Sequence, residues 1–200
     1  MAADRHTLAR ALEFAAVAHG EQTRKGTTIP YVSHLLQVSG LVLEWDGDLE
    51  QATAALLHDV VEDTPVSLRE VVEAFGPGVG EIVGDCTDTG ADETPGSKRP
   101  WLLRKRGYLD KLRSVGARSA LVIACDKLHN TSTLLVDLEL HGLETLGRFN
   151  APAPKQLWYF RSVAAALRGR VPDGLQALLA EHAERFAALT GAVEWREDAG

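Results

Sequence analysis

The chain has 200 residues, 45% hydrophobic and 24% charged, an ordinary globular-domain composition that fits a single domain. Its 28 acidic residues outnumber its 21 Lys and Arg, and the net charge of −7 argues against a general attraction to nucleic-acid polymers or anionic membranes. No apolar run approaches the ~20 residues that span a bilayer, residues 1–10 do not resemble a secretory signal, and Cys86 and Cys125 make no disulfide framework, so a cytoplasmic protein is expected.

Apolar residues recur at helical steps from the start. The spacing predicts helices over 7–18 (Leu8, Leu12, Ala15), stopped at Gly20, and over 31–43 (Leu35, Val38, Val42). Asp48 followed three residues later by Gln51 reads as a capping box, and the helix it opens is expected to run through His58 to about Asp63. Pro65 ends it, because the residue before proline is pushed out of the helical region. Ser67 and Glu70 make a second capping box, with Gly76 closing that helix. A short helix over 79–86 precedes a polar Gly/Pro/Ser loop over 90–99. Further helices are expected over 100–112, 119–135, 154–167 and 172–189, with a loop over 141–154. Residues 191–200 read as a polar tail, leaving 1–190 as one all-α domain without strands or repeats.

Four ionisable groups stand at the end of the apolar stretch 54–57: His58, Asp59, Glu62 and Asp63. Residues four apart share a helix face, so His58 pairs with Glu62 and Asp59 with Asp63. A solvated helix end is the plain alternative, although acids at a helix C-terminus oppose the macrodipole. His34 lies one turn into an otherwise apolar helix, where a satisfied core histidine is the commoner role. Asp126 follows the apolar run 121–125 and is expected to be buried, which demands a partner: Lys127 or another base, a metal, or hydrogen bonds. Together, His34, His58, Asp59 and Asp126 offer two imidazoles and two carboxylates, a set suited to Mn, Fe or Zn. A metal in such a set would activate water for hydrolysis.

The order His34, His58-Asp59, Asp126 resembles the HD metal-dependent phosphohydrolases. The stretches 23–34 (TRKGTTIPYVSH), 54–64 (AALLHDVVEDT) and 125–130 (CDKLHN) are similar to the hydrolase domain of RelA/SpoT proteins and to stand-alone small alarmone hydrolases. The resemblance implies an all-α HD fold of about eight or more helices holding one Mn2+ ion. It implies removal of the 3′-pyrophosphate of ppGpp or pppGpp, alarmones of the stringent response, to give GDP or GTP. It implies no synthetase activity, since the chain ends about where the hydrolase domain should.

Carried across by motif, His34, His58, Asp59 and Asp126 are expected metal ligands, and Glu62 and Asp63 the catalytic acids. Arg24 is expected to meet the base and Lys25 a phosphate. Arg104 and Lys105, beside Arg106, resemble a pyrophosphate clamp, Asn130 a ribose contact and Tyr159 a nucleoside contact. Outside the resemblance, the basic residues read equally as solvated charges and Tyr159 as core. Leu35 stands where the family usually has proline, and Ser132 where it often has arginine. The partner is expected to be a small phosphorylated nucleotide, not a polymer or a membrane. Two alternatives stay open: an HD phosphohydrolase acting on another nucleotide such as NADPH, and a non-catalytic nucleotide-binding module.

Overall fold

The computed structural model describes residues 4–88, 99–193 and 195. Within them the chain is helical: α1 (Arg5–His19), α2 (Val32–Glu44), α3 (Leu49–Leu57), α4 (Val60–Asp63), α5 (Leu68–Phe75), α6 (Pro77–Cys86), α7 (Trp101–Leu112), α8 (Ala117–His141), a 3-10 helix (Gly142–Arg148), α9 (Ala153–Ala166) and α10 (Asp173–Thr190). Extended pairing among the described residues is limited to an isolated bridge between Thr23 and Pro30.

Local chemistry sets most of the boundaries. Both expected capping boxes form: Gln51 N–H donates to Asp48 at 2.8 Å, and the Ser67 N–H donates to Glu70 at 2.8 Å, each with its reciprocal bond. Gly76 takes φ 91°, a region an L side chain enters only with strain, and Pro77 then starts α6 where its missing N–H costs nothing.

Three boundaries differ from expectation, the first being α8, which runs to His141, six residues past the expected 135. The helix opened by Asp48 breaks after Leu57, and Asp59 (φ −99°, ψ −5°) starts the short α4. The segment expected as a loop from 141 is instead a 3-10 helix continuing α8, held by the Thr145 hydroxyl donating to Asp137 O at 3.1 Å. The loop expected over 90–99 lies outside the described residues except for Arg99.

The centre of the fold is α3, buried at every position from Gln51 to Leu57. Ala52, Ala54 and Ala55 are small enough for α1, α2, α6 and α8 to approach it closely from several sides. A helix that is apolar all round is stable only in such a setting. Removing one of its large anchors, Leu57→Ala, costs about 2–5 kcal/mol by the usual cavity penalty.

The 25-residue α8 joins two apolar clusters. Its first half packs with α2, α3 and α6 in the main core, while Leu134, Leu135 and Leu138 meet Leu157, Ala183 and Phe186 of α9 and α10. Trp195, in the expected tail, lies edge-on to Trp158 with centroids 5.5 Å apart. Among the described residues no helix is long and apolar enough to cross a membrane.

Candidate metal centre and nucleotide site

The break between α3 and α4 shapes the centre. On an unbroken helix, consecutive side chains diverge by about 100° around the axis. With the chain turning at His58 and Asp59, His58 Nε2 and Asp59 Oδ2 come to 2.9 Å of each other. The one-turn relation survives locally, because Asp63 N–H still bonds to Asp59 O at 2.9 Å. Glu62 and Asp63 therefore stand one turn beyond the pair, on α4.

His34 enters from α2 and Asp126 from the middle of α8. His34 Nε2 lies 3.3 Å from His58 Nε2, 3.3 Å from Asp126 Oδ1 and 3.5 Å from Asp59 Oδ2, and His58 Nε2 lies 3.6 Å from Asp126 Oδ1. Donors bound to one first-row divalent ion at about 2.1 Å sit roughly 3.0–3.4 Å apart, so these spacings fit a shared ion. One donor atom from each of His34, His58 and Asp126 falls within 4.8 Å of the others. Both histidines and Asp126 are buried, and Asp59 is half-buried.

Hydrogen bonds behind the centre aim these atoms. The Nδ1 of His58 lies 2.7 Å from Ala55 O, which accepts only if Nδ1 carries a proton, so Nε2 is the nitrogen turned to a cation. The Tyr31 hydroxyl donates to Asp59 Oδ2 at 2.5 Å. Lys127 Nζ donates to Asp126 Oδ2 at 2.6 Å, while Asp126 Oδ1 faces the histidines. Asp126 therefore meets the base foreseen for it on Oδ2, while Oδ1 accepts from Asn130 Nδ2 and faces the two histidines.

Electrostatics follow from the crowding. Burial works to raise the Asp59 and Asp126 carboxyls, but the His58 and His34 rings, and Lys127 at Asp126, hold both well below the usual carboxylate range. Burial works to lower His58, but Asp59 and Asp126 hold it well above an ordinary histidine. Burial, then the Asp59 charge, pushes the Tyr31 hydroxyl far up, so it stays a donor.

The expected nucleotide contacts fall into three places. Arg24 sits on a tight loop closed by Arg24 N–H to Ile29 O (2.8 Å) and Tyr31 N–H to Gln22 O (2.9 Å). Gly26 is required there: its φ is 73°, and a Cβ would stand 3.2 Å from Arg148. Arg24 Nη2 donates to Asn130 Oδ1 at 2.6 Å, and Asn130 Nδ2 donates to Asp126 Oδ1 at 2.5 Å. Asn130 thus joins the loop to the centre. Lys25 is exposed, with its Nζ 5.9 Å from the Phe149 ring.

Arg104 and Lys105 lie on α7, and the structure ties both to a residue that sequence reasoning missed. Asp88 Oδ2 accepts from Arg104 Nη1 at 3.0 Å and from Lys105 Nζ at 2.6 Å. The backbone N–H of Asp88 reaches Glu62 Oε2 at 3.3 Å, linking this group to α4. Tyr159 is buried beneath them, its ring 4.9 Å from Lys105 Nζ. Burial agrees with the core reading of Tyr159.

Tyr31, Asp88 and His129 carried no separate signal in the sequence. Tyr31 and His129 each stand three residues from an expected ligand, a helical step that could have marked them.

Sequence comparison bears on this geometry. The family described as HD domain matches residues 11–141. The chain is 36% identical over 129 residues to guanosine-3′,5′-bis(diphosphate) 3′-pyrophosphohydrolase MESH1 of Drosophila melanogaster, covering 63% of this chain and 68% of that one. It is 37% identical over 139 residues to MESH1 of Homo sapiens, covering 67% and 73%. A solved structure described as a metazoan ortholog of SpoT that hydrolyzes ppGpp superposes with a TM-score of 0.73 at 29% identity, covering 92% of this chain and 98% of that one. With His34 of α2, His58 at the α3–α4 break and Asp126 of α8 clustered, and Asp59 beside both histidines, the chain belongs to the HD domain family.

Proposed function

We propose that this chain is a Mn2+-dependent (p)ppGpp 3′-pyrophosphohydrolase. The observation that carries the reading is the cluster of His34, His58 and Asp126 donors, with Asp59 Oδ2 2.9 Å from His58 and 3.5 Å from His34, in a chain similar to proteins named for that activity. The donor set suits a divalent cation, and Mn2+ is the ion we assign to it. Bound there, the ion would lower the pKa of water and neutralise phosphate oxygens.

The chain's own residues do the rest. Glu62 and Asp63, one turn past Asp59, orient the attacking water and take its proton. The water oxygen bonds to the phosphorus attached at the ribose 3′ oxygen. That P–O(3′) bond breaks, the proton taken from the water goes on to the 3′ oxygen, and the products are pyrophosphate and GDP or GTP.

Arg24 is assigned to the base, Lys25 to a phosphate, Asn130 to the ribose and Tyr159 to the nucleoside. Arg104 and Lys105 are assigned to the pyrophosphate, with Asp88 holding them in place. We read residues 1–190 as one HD hydrolase domain and 191–200 as its tail. We also assign the chain to the cytoplasm, a setting that two free cysteines fit.

The test is a product assay on ppGpp with Mn2+, with and without chelator. Equal amounts of GDP and pyrophosphate, lost with chelator, are expected. Phosphate release from NADPH with ppGpp left intact would move the chain to another nucleotide. Tight ppGpp binding without turnover would make it a binding module.

A further inference from the structure

His129 lies on α8, three residues after Asp126, and is buried with 5% of its surface exposed. Its Nδ1 stands 2.7 Å from the Nδ1 of His34, and the two rings are tilted by 40° with centroids 4.8 Å apart. Its other nitrogen, Nε2, is buried and has no hydrogen-bond partner among the described residues.

Two ring nitrogens at hydrogen-bond distance must share one proton between them. The face of His34 that meets His58, Asp59 and Asp126 is Nε2. For Nε2 to offer a lone pair to a cation, the His34 proton must sit on Nδ1. His129 Nδ1 must then accept it, which places the His129 proton on the unpartnered Nε2. The opposite arrangement puts a proton on His34 Nε2, where a cation cannot bind. Both rings must stay neutral for this, because two protons would collide along the 2.7 Å contact.

We propose that His129 is a positioning residue that sets the tautomer and ring orientation of His34 for cation binding. Histidine ligands commonly donate their rear N–H to a carboxylate, a backbone carbonyl or water. His58 follows that habit with Ala55 O, whereas His34 uses a neutral imidazole. The choice follows from the surroundings. A carboxylate at position 129 would add a third buried negative charge beside Asp59 and Asp126, whereas an imidazole accepts without one.

The inference rests on the metal-site reading above, and its test separates the two. In the full chain with 15N-labelled histidine, Zn2+ serves as a diamagnetic probe. His34 is expected to show a protonated Nδ1 and His129 a protonated Nε2. A protonated His129 Nδ1 in the Zn2+-bound protein would overturn the proposal. In parallel, Mn2+ affinity is measured by the EPR signal of free ion, without nucleotide. His129→Phe, which keeps a ring but no acceptor, is expected to bind Mn2+ about 10- to 100-fold more weakly.

His129→Gln, which keeps an acceptor oxygen, is expected to recover most of that loss at a similar metal-free melting temperature. Unchanged Mn2+ affinity in His129→Phe, or equal weakening in both variants, would overturn the positioning role alone. Failure of the unmodified chain to bind either ion would overturn the metal-site reading and this inference together.

Discussion

The hydroxyl of Tyr31 donates to Asp59 Oδ2 at 2.5 Å, so a residue just ahead of α2 orients a carboxylate at the start of α4. The same oxygen lies 2.9 Å from His58 Nε2. Tyr31→Phe removes the bond and leaves the ring stacked on His19. The expected outcome is Mn2+ binding weaker by about 10-fold with little change in melting temperature. Titration of Mn2+ into the two proteins checks it, and equal affinities would remove Tyr31 from the centre.

Glu62 and Asp63 offer a cleaner separation of binding from chemistry. In Glu62→Gln and Asp63→Asn the donors of the centre remain, so Mn2+ should still bind. Turnover of ppGpp is expected to fall by about 10²–10⁴-fold in the variant that loses the base. Comparing kcat with Mn2+ affinity in both identifies which carboxylate takes the proton. Full activity in both variants would remove the pair from the mechanism.

The pH dependence of cation binding follows from the protonation of the centre. Asp59 and Asp126 are held low and are already ionised at neutral pH, whereas His58 is held well above its ordinary value and is protonated. A cation must displace that proton, so Mn2+ affinity is expected to rise with pH until His58 has titrated. Calorimetry in buffers of different ionisation heat should find about one proton released per Mn2+ near pH 7. Zero release would contradict it.

The same shift has a sign for the cation-free fold. A raised His58 contributes stability that is full below its unfolded value of about 6.5 and is lost as pH rises through the folded value. The lowered Asp59 and Asp126 contribute above about 3.9, and that contribution is lost as pH falls through their folded values. Cation-free protein should therefore lose stability on both sides of neutrality, as melting scans across pH would record.

Asp88 holds Arg104 and Lys105 through one carboxylate oxygen, with 7% of its side chain exposed. Asp88→Ala leaves the half-buried Lys105 ammonium over Tyr159 without its anion. The loss is expected to fall below the ~3–5 kcal/mol of a fully buried pair, because water reaches the ammonium. At this chain length that lowers Tm by a few degrees. Lys105→Met, which removes the charge as well, should cost less. Equal losses in both variants would place the cost in packing.

Much of this was legible along the chain because it depends on neighbours in sequence. The capping boxes at Asp48 and Ser67, the stop at Gly76 and the helical periodicity are local physics, and each appears where the residues place it. The clustering of His34, His58 and Asp126 was legible for a different reason. Two histidines and two aspartates stand in or beside apolar stretches, where an unpartnered charge is too costly to keep without a use.

The sequence alone determined which residues had to find partners, because burial penalises a lone ionised group wherever the chain goes. Only the tertiary structure decided who those partners are. The break after Leu57, which turns His58 and Asp59 to a common point, shows no signal in a run that reads as continuous helix. The contacts of Asp126 with His34, 92 residues away, and of Arg24 with Asn130, 106 residues away, depend on helices packing around α3. So do the roles of Tyr31, Asp88 and His129. Hydrogen-bond geometry is fixed over about 3 Å in space, and separation along the chain carries no information about it until the core has closed.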